Sequence, residues 1–337
     1  MTTIPPFNIA GISTTRAPAA EPGPDWPVAK KLWGPAWQLH WIALGVAFAL
    51  IAVHSFVAML MADKSKAFTR RLLFYATNSL LLIFGIVRSL YLWIDPYESD
   101  EHDISCELWI TRALFGLAFP CLTSAFCLVH VAFLEVSKLQ LGSKKLHSLP
   151  FVFFIIVLHF IVVLVSDITV ALEADKTELL IVCQSFFIVW GFINSIAFLY
   201  SGGKVILTSR GAKKQLNQIN LQETSNDGNS GRKNSTIKVA KITMVTAFLG
   251  FVCCGLQMYS MVGVYGLYSR VVNPAPWPWY GFQTCFRMVE IAMGCTLAYT
   301  VMQPSENGKR VIFGSSRCCR NEDVAPAHNL VSAITTA

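Results

Sequence analysis

The chain has 337 residues, of which 54% are hydrophobic and 14% charged. Soluble domains carry about a quarter charged residues, so this composition excludes an ordinary water-soluble globule and points to a bilayer. The formal net charge of +7 sits between long apolar runs; it reads as a membrane-topology signal and not as a nucleic-acid footprint.

Residues 1–36 come first. They hold seven of the fifteen prolines and no apolar run long enough for a signal peptide. The composition predicts a short, disordered arm on the outer side, with the first span acting as an uncleaved signal anchor. Seven runs then reach the length of about 20 residues that a hydrocarbon core about 30 Å thick requires. They are Trp37–Met61, Leu72–Trp93, Leu108–Phe133, Pro150–Val170, Leu179–Tyr200, Ile242–Tyr265 and Gly281–Met302. The runs are continuous and about twice the length of a barrel strand, which excludes strands. The expected fold is an all-α integral membrane bundle of seven helices over 37–302, with receptor-like topology. No internal repeat at a fixed period is present.

Orientation follows from lysine and arginine, which stay on the cytosolic side of span ends. Segments 62–71, 134–149, 201–241 and the tail from 303 hold 19 of the 27; segments 1–36, 94–107, 171–178 and 266–280 hold five. The first set is therefore cytosolic, the N-terminus outside and the C-terminus inside. Loop 201–241 is polar, carries eight basic residues and reads as disordered in its centre, with basic ends against anionic lipid. Within it, Arg232-Lys233-Asn234-Ser235 makes Ser235 a candidate phosphorylation site. The Asn234-Ser235-Thr236 sequon is cytosolic on this topology. In the cytosolic tail 303–337, Arg317-Cys318-Cys319-Arg320 presents Cys318 and Cys319 as candidate palmitoylation sites. The membrane is expected to be the plasma membrane or an endomembrane.

Charges inside the spans are the sharpest feature, because each costs about 2.5–3.5 kcal/mol at a helix centre. Arg88, Arg112, Asp167, Arg287 and Glu290 all fall in the outer half, at a depth of roughly 5–14 Å. Arg287 and Glu290, three apart, share a helix face, and with Arg88 they are expected to form one network. This set reads either as a buried charge network joining helices or as an outward-facing pocket for an unknown anionic or zwitterionic ligand. Cys106 sits just outside the third span, and Cys183 is the nearest candidate disulfide partner; a free Cys106 is the competing reading. The remaining span cysteines read as small packing residues.

The second span ends Arg88-Ser89-Leu90-Tyr91-Leu92-Trp93-Ile94-Asp95-Pro96-Tyr97, and the seventh contains Phe286-Arg287-Met288-Val289-Glu290. These two motifs resemble the proline-rich transmembrane protein 3/4 family, over about 33–310. The resemblance implies a seven-helix domain of unassigned activity with no catalytic residues to carry over. One departure is the outer region, long and proline-rich in that family and 36 residues here.

Other classes fit less well. The third span exits as Phe133-Leu134-Glu135-Val136, without Asp-Arg-Tyr, and the seventh lacks Asn-Pro-x-x-Tyr, so rhodopsin-like receptor marks are missing. No span contains a lysine for a retinal Schiff base. His40 and His54 are about 21 Å apart on one helix, too far to share a metal. No His-x-x-x-His or Glu-x-x-His pair appears, so neither a metal, a cofactor nor an enzymatic activity is expected. The leading expectation is a receptor-like or scaffolding protein that meets cytosolic partners through 201–241 and 303–337. A transporter of a small solute is the alternative, with Pro120 and Gly281 as its only sequence hints.

Overall fold

The computed structural model describes residues 23–62, 68–101, 107–137, 149–172, 178–219, 230–264 and 274–302. Among them are eight α-helices and no strand. Cys106, Cys318 and Cys319, and the tail from 303, lie outside the described residues.

The long apolar runs become α2 (Pro35–Leu60), α3 (Phe68–Ile94), α4 (Leu108–Ser137), α5 (Leu149–Leu172), α6 (Glu178–Ile219) and α7 (Ser230–Tyr259), the last extended by a π-helical turn at Ser260–Val264. Among the described residues, six helices are long and apolar enough to cross a membrane. The seventh expected run, α8 (Pro276–Val301), has 26 residues but does not join them on composition. Gln283, Arg287 and Glu290 dilute its apolar character. It packs against α2, α3, α4 and α7, with Phe286 and Leu297 fully buried. The molecule is thus an all-helical membrane bundle with six helices that meet the apolar criterion and one, α8, that is built around buried polar groups.

α4 is the central helix. It touches α3, α5, α6 and α8, and every residue from Pro120 to His130 is buried. Pro120 cannot donate to the helical ladder, and the Thr123 hydroxyl donates to the nearby Phe119 carbonyl at 2.9 Å. Small residues let neighbours approach closely, since apolar surface alone does not drive helices together in lipid. At Gly85 of α3 an added Cβ would lie 2.6 Å from the Phe48 carbonyl of α2. One turn further, the Ser89 hydroxyl reaches the Gly45 carbonyl of α2 at 3.0 Å.

One expectation is corrected. The arm 1–36 is not disordered throughout, because Trp26–Trp33 forms helix α1 with Ala29 and Trp33 buried. Pro27 near its start and Gly34 at its end delimit it; Gly34 adopts φ 52°, which a glycine tolerates. For 201–241, the centre expected to be disordered lies outside the described residues. α6 continues through Ile219 and α7 begins at Ser230, so both flanks of that segment are helical. The backbone at Ser235 is helical.

Candidate functional site

The site begins where α3 stops. Asp95 precedes Pro96, which disfavours helical geometry, and its backbone turns extended at φ −149°. Pro96–Glu98 then forms a single 3-10 turn in which Tyr97 (φ 58°) and Glu98 (φ 57°) are left-handed. Left-handed backbone costs about 1–3 kcal/mol at each such residue unless the surroundings enforce it. Here the enforcement is visible. The Asp100 amide donates to the Asp95 carboxylate at 3.0 Å, and both Tyr97 and Glu98 point back into the bundle and are buried.

Tyr97 joins an aromatic cap. Its ring meets Trp279 edge-on at 5.1 Å, and Trp279 stacks on Trp33 of α1 at 5.7 Å. Trp26 and Trp37 complete the cluster, with Trp26 5.2 Å from Trp279 and Trp33 5.3 Å from Trp37. Polar bonds lock it. His40 Nε2 lies 3.0 Å from the Tyr97 hydroxyl and Nδ1 lies 3.0 Å from Thr284 Oγ1. The Thr284 proton goes to the Tyr280 carbonyl at 2.8 Å. That geometry is satisfied when Nδ1–H donates to Thr284 and Nε2 accepts from Tyr97. Lys30 of α1 pairs with Glu101 at 2.7 Å and donates to the Ser99 carbonyl at 2.9 Å. Trp37 Nε1 donates to the same Glu101 at 2.9 Å.

Beneath the cap lies the charge network. Arg88 of α3 and Arg287 of α8 each place a guanidinium nitrogen 2.6 Å from a different oxygen of Glu290. All three side chains are at most 1% exposed. Arg88 also donates to the Phe115 carbonyl of α4 at 3.2 Å, so one guanidinium links three helices. Phe119 and Phe115 flank the Arg88 guanidinium at 4.7 and 5.3 Å, and Phe286 and Tyr97 flank that of Arg287 at 5.2 and 5.6 Å. These aromatic faces supply cation–π attraction where water is excluded.

Arg112 and Asp167 lie outside that triad. Arg112 Nε is 3.5 Å from Glu98 Oε1, and both are buried. Asp167 of α5 packs against Gly116 of α4, where a Cβ would collide with the carboxylate. The structure therefore sorts the five span charges into three places. A sixth buried charge, Glu98, is one of six acids in the segment 94–107, and only the left-handed turn at Tyr97 and Glu98 singles it out. With Glu98 counted, the buried charges are three cations and three carboxylates, of which Glu98 and Glu290 are in the ion pairs just described. The Cys183 thiol lies 3.6 Å from the Val162 carbonyl; its expected partner Cys106 is outside the described residues.

The chain is similar to known proteins. The family model for the proline-rich transmembrane protein 3 domain matches residues 12–321. Proline-rich transmembrane protein 4 of Mus musculus and of Rattus norvegicus are each 22% identical over 306 residues. Each alignment covers 85% of this chain and 31% of the relative. The chain thus spans about a third of the length of these curated relatives. No solved structure matches.

Proposed function

The chain belongs to the proline-rich transmembrane protein 3 domain family, and from that premise we propose a non-enzymatic, receptor-like membrane protein that relays a signal at its α1 end to cytosolic partners. In this reading α8 is the seventh crossing, its buried charges neutralised within the bundle. The α1 end faces outside, and 201–241 and 303–337 face the cytosol, as lysine and arginine placement favours. The carrying observation is the clasp of α1 over the charge network. Lys30 holds the α3–α4 connection through Ser99 and Glu101, and Trp33 holds α8 through Trp279. Tyr97 touches both the cap and the Arg287 guanidinium, so displacement of α1 bears directly on the triad.

Reversing the clasp charge tests the relay. A biotin ligase fused after Ala337 is expected to label a different set of proteins in Lys30→Glu than in wild type. Lys30→Glu/Glu101→Lys, which restores opposite charges, is expected to return the wild-type set. Identical sets in all three would end the relay reading. Proteoliposomes of the purified chain that dissipate a small-solute gradient would favour transport in its place. Orientation is checked separately: an epitope at residue 2 is expected to be antibody-accessible on intact cells and one at residue 225 only after permeabilisation. The reverse pattern would invert the topology.

A further inference from the structure

We propose that the cavity between α4, α5, α6 and α7 is a binding site for a small monovalent cation, sodium by size and charge. The cavity has a volume of about 30 Å³ and is lined by Gly116, Val163, Asp167, Gln184, Phe187 and Gln257, among others. It stands apart from the triad and from the relay reading, and it does not depend on either.

Two of the residues that line this cavity carry an orphaned acceptor. Asp167 Oδ2 and Gln257 Oε1 have no hydrogen-bond partner among the described residues. Asp167 is 3% exposed and Gln257 1%. A buried polar atom without a partner costs about 1–3 kcal/mol, more when charged, so each such atom needs a physical reason. Both are acceptors, which rules out an anion and calls for a donor or a metal ion. Carboxylate, amide carbonyl and water oxygens are the ligands of hard cations. A single carboxylate matches one positive charge and falls short of what divalent sites usually assemble. The volume admits about two water-sized species, taking 10–15 Å³ for each. That is room for a bare ion with one water.

The surrounding sequence is shaped to the site. Gly116 leaves the space that the Asp167 carboxylate occupies. Gln257 lies three residues before the π-helical turn Ser260–Val264, and the Ser260 hydroxyl bonds its carbonyl at 2.7 Å; such turns often accompany functional sites. Asp167 stands five residues from the end of α5 at Leu172, about 8 Å along the axis, a short entry path.

The test is thermal unfolding of the purified full chain in detergent. It is run in sodium chloride and in N-methyl-D-glucamine chloride, whose cation is too large to enter, at equal ionic strength. Sodium is expected to raise the wild-type Tm saturably, by about 3 °C at ten times its dissociation constant. Asp167→Asn and Gly116→Ala are expected to abolish the difference between the two salts. Gln257→Glu, which adds a carboxylate, is expected to lower the half-saturating sodium concentration about tenfold. Superimposable wild-type curves in the two salts would overturn the proposal, and so would a sodium shift that survives in Asp167→Asn. Should either loss variant fail to fold, the wild-type comparison and Gln257→Glu still decide it.

Discussion

Glu290→Gln is expected to be the most destabilising single substitution in the bundle. Its carboxylate is shared by two guanidinium groups, each 2.6 Å away and fully buried. Removing it leaves two cations without their counter-charge in a low-dielectric interior. Breaking a buried pair in this way costs about 3–5 kcal/mol. Arg88→Met is the informative contrast. It leaves Arg287 and Glu290 as a neutral pair, and the lost charge-assisted bonds amount to about 2 kcal/mol. Thermal unfolding of purified protein in micelles should therefore rank Glu290→Gln well below Arg88→Met, with wild type highest. Equal losses would mean that charge balance is not what holds the three helices together.

Trp33→Ala is expected to release α1. Trp33 is 4% exposed and meets Trp26, Trp37, Trp279 and Tyr280. Truncating a buried tryptophan costs about 3–5 kcal/mol, and an eight-residue helix depends on such tertiary contacts, since isolated helices of that length are marginal in water. Lys30 and Lys31 make the release measurable. In nanodiscs, trypsin cleavage after these lysines should accelerate on the order of 100-fold, because local opening exposes the backbone. Tm of the remaining bundle should move far less than for Glu290→Gln. Unchanged cleavage would show that α1 is held by Lys30 and Glu101 and not by its aromatic face.

The long helices were legible because a span announces itself by length and continuity of apolar residues, and α2 to α7 fall on six of the seven expected runs. What escaped that signal escaped for particular reasons. α1 is eight residues long, too short for a span window, although Trp26, Ala29 and Trp33 fall at helical spacing before Gly34 and Pro35. The flanks of 201–241 are polar, and a polar helix that continues a span leaves no trace in hydropathy. Glu98 looks like its acidic neighbours in the sequence; its inward turn depends on backbone geometry that Asp95-Pro96 begins and the surrounding fold completes. Arg287 and Glu290 were visible as a pair three apart, yet their convergence with Arg88 joins residues about 200 apart in the chain.

The length of α6 has a mechanical consequence. The helix runs 42 residues, and its apolar span reaches Thr208, so the 11 that follow, up to Ile219, continue it for about 16 Å. A rod of that reach is a lever arm. A tilt of about 10° at the packed end swings its tip by about 3 Å, so a small adjustment among side chains becomes a displacement on the scale of a protein contact.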